Sequence, residues 1–474
     1  MLFNSIEFII LLLVTLFLYY LPVFRRLQVA LLIAASFIFY GFYQPGLLVL
    51  LVTCILANSL MSYHIHQSID RARRKLLLIV SVVFNLFLLC FFKYGAVLAG
   101  FYLNVSNNHN SIFLDYLLLL PLPIGISFYT FEGISLLVDV YRKKETLSQR
   151  DSSNLSKYIL NTSFFISFFP HLISGPILKA HSFFPQIQTK KWSNIEWEAV
   201  LHYLVLGFFF KMVVADNLED LTNILLFPYF NAYSTYSLLL AVFGFSIQMF
   251  ADFAGYSLIA VGLGLLLGYN LPQNFCYPYL ATSFSDFWHR WHISLSSWLK
   301  EYVYIPLGGN RKGEYRTFLN VFIVMLVGGI WHGSSWTYAI WGGMHGLFII
   351  IEKKYSSPAQ NIVRKILGWL MVFIVVSILW VLFKLPNIHH FVLFFTALFK
   401  NIDKPIIKLG NQFEILIYSF PIVLYYLRHI LFQHSFTKLY MHKFTSLRPL
   451  VYGTMIFLMI VNSGNAGKFI YFQF

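Results

Sequence analysis

Charge is scarce in this sequence. Asp, Glu, Lys and Arg make up 11% of its 474 residues, against roughly 25% in ordinary soluble domains. No stretch of about fifty residues is polar enough to fold as a separate soluble domain. Cysteine is scarce as well. Cys54, Cys90 and Cys276 stand far apart in apolar surroundings, without metal or redox spacing, and are expected to be inert core residues. No cysteine or acidic cluster completes a set of metal ligands, so neither a metal nor a bound cofactor is expected. What fills the chain instead is apolar: 58% hydrophobic, 19% aromatic, mean hydropathy +0.69. Apolar runs of roughly twenty residues, long enough to cross the hydrocarbon core, recur along its length. The expectation is an all-α polytopic membrane protein, residues 1–474 forming a single domain with lipid as its standing partner.

Lys and Arg number 34 against 19 Asp and Glu. In a soluble protein that excess would suggest nucleic acid; here basic clusters that hold cytoplasmic loops in place account for it, and no nucleic-acid partner is expected. Arg25–Arg26, "RARRK" at 71–75 and "RKK" at 142–144 are each separated from the next by two apolar passages. All three then face the cytoplasm, and the N-terminus starts outside. The N-terminal apolar stretch lacks the charged start and small-residue cleavage site of a signal peptide, so it is expected to be a retained first helix. Further spans are expected at 113–140, 158–176, 234–251, 254–269 and 334–351, among others. About eleven crossings result, with kinked helices or re-entrant pieces at the proline-containing "LLLLPLPIGISFYTF" and "FFPHLISGPI". No internal repeat of the transporter kind is present.

Residues 282–316, "TSFSDFWHRWHISLSSWLKEYVYIPLGGNRKGEYR", mix charge and aromatics too evenly to span. Ser283 or Ser285 can cap a helix running to about Tyr302. Trp288, Trp291, Leu295 and Trp298 would share one face of it, which predicts an interfacial helix with its tryptophans at headgroup depth. The turn "LGGNRKG" follows and is read as cytoplasmic.

From Thr317 to Ile351 there is no Asp, Glu, Lys or Arg, yet two histidines occur, His332 in "GGIWHGSSW" and His345 in "WGGMHG". A lone histidine in such a place is most often a satisfied core residue. Two titratable groups at membrane depth shift the balance toward a cavity or pathway. Thirteen residues separate them, roughly 20 Å along a continuous helix. A turn at Gly333–Ser335 is needed to bring them closer. His289 and His292 stand three apart and could share a helix face. Glu132, Lys211 and Asp252 also lie within apolar runs; Asp252 could orient a histidine, line a tunnel or make a buried hydrogen bond between helices.

The segment "DFWHRWHISLSSWLKEYVYIPLGGNRKG", followed by "GGIWHGSSWTYAIWGGMHG", closely resembles the membrane-bound O-acyltransferase (MBOAT) family. The branch it is most similar to is that of the bacterial alginate and peptidoglycan O-acetylation proteins. "LPIGISFYTFEGISLLVDVYR", "FFPHLISGPI" and "DFAGYSLIAVGLGLLLGYNLPQNF" resemble it in the same order, so the likeness covers nearly the whole chain. It implies a ring of helices around a thinned centre crossed by a tunnel, with the core motifs at 282–351. It implies that His332 is catalytic and that His292 is the second functional histidine. Asp252, His345, Trp331 and Arg290 are tunnel or substrate candidates. A neutral imidazole can take the proton of an attacking hydroxyl, and Gly328, Gly329 and Gly333 would leave room for the acyl group.

The resemblance further implies acetyl-CoA as donor, an extracytoplasmic polysaccharide as final acceptor, a periplasmic SGNH-type transferase as partner, and the bacterial inner membrane as location. In the tail 464–474, "FIYFQF" fits F-x-Y-x-x-F, similar to the terminal motif of the small membrane partner in teichoic-acid D-alanylation. Tyr471 is thereby an acyl-acceptor candidate; an aromatic interfacial anchor is the alternative. Two other readings stand beside acetyl transfer: acyl or D-alanyl transfer from a carrier-protein thioester, and a proton-coupled transporter.

Overall fold

The structure is a computed structural model that describes residues 1–106, 112–119, 121–144, 154–355, 361–432 and 447–464. Regular structure among these residues is helical, with no strands. Eight helices are long and apolar enough to cross a membrane, and three shorter apolar helices accompany them at Ile6–Tyr20, Ile388–Lys400 and Arg448–Val461. The described residues thus hold eight helices of spanning length, where about eleven crossings were expected, the other three being apolar but shorter. The described chain divides into two compact units, Met1–Val200 with Ala260–Pro272, and Leu201–Ile259 with Gln273–Phe474.

In the first unit the helices Gln28–Gly41, Pro45–Gln67 and Arg71–Ser106 follow the first apolar helix. The expected span 113–140 is two pieces, Ile112–Leu119 and Ile126–Tyr141. Pro121 and Pro123 cannot continue a helix donor ladder, and Gly125 restarts the chain from a left-handed φ of 79°. The expected span 158–176 likewise stops at Ser167 and resumes as the single turn Phe169–Leu172, with Pro170 in its first positions. The helix Ile126–Tyr141 buries two carboxylates two turns apart, and each meets a histidine from the following segment. His171 Nδ1 lies 3.1 Å from Glu132 and His181 Nδ1 lies 2.8 Å from Asp139. Arg74 donates from Nη2 to Tyr141 O at 2.8 Å, so the second basic cluster reaches the residue just before the third.

The second unit contains the enclosed part of the longest buried helix. Thr235–Leu266 is continuous over 32 residues, where a break near 252 was expected. Asp252 does not interrupt it because its carboxylate is held by Lys211 Nζ at 2.8 Å, and the same Nζ binds Asp216 at 2.7 Å. The cysteine expectation fails in part: Cys54 is buried, but Cys90 and Cys276 are exposed, Cys90 on the outward side of the apolar helix Arg71–Ser106 and Cys276 in the irregular segment after Thr235–Leu266.

Candidate active site

The second unit brings the histidine-bearing segments together through a tight helix pair. Glu314–His332 ends at its own histidine, Gly333 is extended, and Trp336–Tyr355 starts three residues later. Ser335 closes the turn: its Oγ donates to Pro386 O and accepts from Thr337 N at 3.3 Å. This is the turn that the thirteen-residue spacing required. The expected span 334–351 is a helix, but it is absent from the eight spanning helices, and it serves as the inner partner of the pair. The two backbones meet at Gly329 and Gly342. A Cβ built on Gly329 would stand 2.9 Å from Gly342 Cα and press on Tyr338 O. Of the three glycines expected to leave room for an acyl group, Gly328 lines the cavity that His332 borders, whereas Gly329 meets the partner helix and Gly333 packs under the Tyr338 ring.

The segment before this pair departs from the expected single helix. Ser283 does cap it, accepting from Asp286 N at 3.0 Å, but the helix Phe284–Arg290 stops there. His292 takes a left-handed φ of 44°, and a second short helix, Ile293–Leu299, begins. Asn274 fixes this break by accepting from Ile293 N on its carbonyl (2.9 Å) and from Ser294 N on Oδ1 (3.2 Å). His289 and His292 therefore share no helix face: His289 is exposed while His292 is fully buried. The tryptophans do not form an outward face of one helix either. Trp291 and Trp298 are 1% and 4% exposed, and Trp291 packs on Phe275 and Trp380 at 5.0 and 4.7 Å between ring centroids. The break turns the aromatic row into the protein.

Three imidazoles alternate with two indoles through this core. Successive ring centroids from His292 to Trp331, His332, Trp341 and His345 are 6.1, 4.9, 5.2 and 4.8 Å apart. His332 is 4% exposed and opens on a cavity of about 310 Å³. Val321, Met325, Gly328 and His332, spaced by three and four, line one wall as a helical stripe. Trp288, Trp341 and Leu299 add apolar wall, whereas His289, Lys300, Ser296 and Ser297 add polar groups. His289 Nδ1–H donates to Ser285 O at 2.6 Å, so its neutral ring carries the lone pair on Nε2. His345 is buried behind the wall, and its Nδ1 accepts from Trp288 Nε1 at 3.3 Å. Its neutral tautomer therefore keeps the proton on Nε2, and it orients Trp288.

The remaining candidates fall elsewhere. Arg290 Nε pairs with Asp286 at 2.8 Å one turn earlier. Asp252 is held by Lys211, a partner that the sequence showed only as another charge in an apolar run. Tyr471 lies outside the described residues. Lys300, Trp288 and Trp341 line the cavity but were not singled out for chemistry; the helical repeat of "FWHRWHISLSSWLK" does not reveal which side the broken helix turns inward.

A model of the membrane-bound O-acyltransferase family matches residues 32–395, which include the cavity, His292, His332 and His345. The chain is 35% identical over 392 residues to the peptidoglycan O-acetyltransferase of Helicobacter pylori, covering 78% of this chain and 72% of that protein. It is 36% identical over 397 residues to the probable alginate O-acetylase AlgI of Pseudomonas aeruginosa, covering 82% and 73%. A teichoic acid D-alanyltransferase of Bacillus subtilis is 30% identical over 288 residues, 56% of this chain and 70% of that protein. With His332 at the cavity, His292 and His345 packed in the same aromatic row, and the family match spanning most of its length, the chain belongs to the membrane-bound O-acyltransferase family and is an acyltransferase.

Proposed function

We propose that this protein moves an acetyl group from cytoplasmic acetyl-CoA across the bacterial inner membrane for O-acetylation of an extracytoplasmic polysaccharide, alginate or peptidoglycan being the acceptors named in its relatives. The observation that carries the reading is His332: a buried imidazole at the wall of a cavity that is apolar on the histidine's own helix and polar at Lys300 and His289. The attacking hydroxyl loses its proton to His332 as its oxygen adds to the thioester carbonyl. The tetrahedral intermediate collapses, the C–S bond breaks, and the thiolate takes the proton from His332. His292, across Trp331 from His332, helps hold the packing that aims the base. Tyr471 is the first acceptor in this scheme, and a periplasmic SGNH-type transferase takes the acetyl group onward. Donor delivery by a carrier-protein thioester is the second reading, favoured only by the D-alanyltransferase relative.

Labelled acetyl-CoA with purified protein, followed by mass spectrometry of the C-terminal peptide, tests this in wild type and His332→Ala. Acetyl on Tyr471 in wild type alone is the expected result. His332-dependent transfer to an added partner or glycan, with Tyr471 unlabelled, retains the acetyltransferase and discards the relay. No transfer to any acceptor with the partner present removes acetyl-CoA as donor.

A further inference from the structure

Trp341 lines the cavity that His332 borders and carries a donor with nothing to donate to among the described residues. Its side chain is 1% exposed, and its Nε1–H is buried with no hydrogen-bond acceptor among the described residues. Buried indole N–H groups ordinarily find a partner, and leaving one unpaired costs stability. The same ring walls the cavity that His332 borders, and the two rings meet edge to face at 5.2 Å and 88°. Its other neighbours are rings too: Trp288, Trp380 and Phe383 at 5.5, 5.6 and 5.0 Å. These hold the indole in one orientation and offer its N–H no competing oxygen. Gly342, the next residue, fixes the backbone against Gly329.

We propose that Trp341 Nε1–H is the oxyanion donor of the acyl transfer. This rests on the thioester chemistry proposed above. When the hydroxyl oxygen bonds to the carbonyl carbon, the C=O electron pair moves onto oxygen, and His332 holds the hydroxyl proton. The indole N–H donates to that oxygen, whose charge exists only between attack and collapse. On collapse the pair re-forms C=O, the C–S bond breaks, and the thiolate takes the proton from His332. A fixed donor in a site shielded from water favours the intermediate over the ground state. Trp341 is also the residue on which both His332 and His345 rest, so donor and base are held at constant separation.

The test replaces the N–H without removing the ring: benzothienylalanine at position 341 puts sulfur where nitrogen stands, and Trp341→Phe serves as a second variant. Turnover is measured with whichever donor wild type uses, acetyl-CoA or a carrier-protein thioester. The expected result is a fall in kcat of about 10²–10³ with KM held within about threefold, in a benzothienyl variant that melts like wild type. A benzothienyl variant within about threefold of wild-type kcat overturns the proposal, and does so even if Trp341→Phe loses activity through misfolding. A wild type active only with the carrier thioester overturns the acetyl-CoA reading alone, and the kcat ratio still decides on Trp341. A wild type idle with both donors overturns the thioester chemistry and this inference with it.

Discussion

His292 is fully buried in a left-handed turn with φ of 44°, a conformation that costs most L-residues energy. It lies between two short helices, outside the eight spanning ones. Burial lowers its pKa from the ordinary 6.5 to about 3, because a charged ring would lose its hydration. With the folded value below the unfolded one, the neutral ring's contribution to stability is present above pH 6.5. It is lost as the pH falls toward 3, since the unfolded chain then binds a proton that the folded chain refuses. Between pH 7 and pH 5 this one ring should cost the protein about 2 kcal/mol. Melting curves of wild type and His292→Asn across that range test it: asparagine tolerates the left-handed turn, and the acid slope should flatten. An unchanged slope would mean that the ring is hydrated in the folded state. At this scale the candidate residues stood out in the sequence, because titratable groups are costly in apolar segments. Their conformations were not, since nothing in "RWHIS" marks a left-handed residue and Asn274, which enforces it, stands eighteen positions away.

The pair Glu314–His332 and Trp336–Tyr355 depends on Gly329 and Gly342 touching. A methyl group at position 329 meets backbone rather than a side chain that could swing away, so the helices themselves must separate. Gly329→Ala should destabilise the protein by roughly 1–3 kcal/mol and lower turnover by moving His332 relative to Trp341. Thermal melting in detergent, read beside activity, tests this; a variant that melts and turns over like wild type would mean that the helices part freely. The need for a turn between the two histidines followed from arithmetic on helical rise alone. Which glycines face the acyl group and which face a neighbouring helix did not, because both are served by the same residue type. The single helix Thr235–Leu266 was misread for a related reason. Asp252 looks like a stop in a list of residues, whereas its lysine partner, forty-one positions back, makes it an ordinary interior residue of that helix.

Across the whole molecule, membrane character follows from the scarcity of charge, and an expected sidedness from where the charges fall. Arg74 of the second basic cluster reaches Tyr141 O, next to the third. Single cysteines at Arg26, Arg73 and Lys143, in a background without Cys54, Cys90 and Cys276, should all resist an impermeant maleimide in right-side-out membranes and react after permeabilisation. Labelling of one from outside would break the orientation set by the positive clusters. The proline-broken passages were the least legible part, since proline announces a break without saying whether the chain turns back or goes on. Thirty-two residues of continuous helix at Thr235–Leu266 measure about 48 Å, well beyond a hydrocarbon slab of roughly 30 Å. Protein encloses 83% of its apolar window, against 17% for the window of Arg71–Leu103. Thickening or thinning the bilayer with lipids of different acyl length therefore presses on the Arg71 helix, while the helix that carries Asp252 is sheltered from that load by its protein sheath.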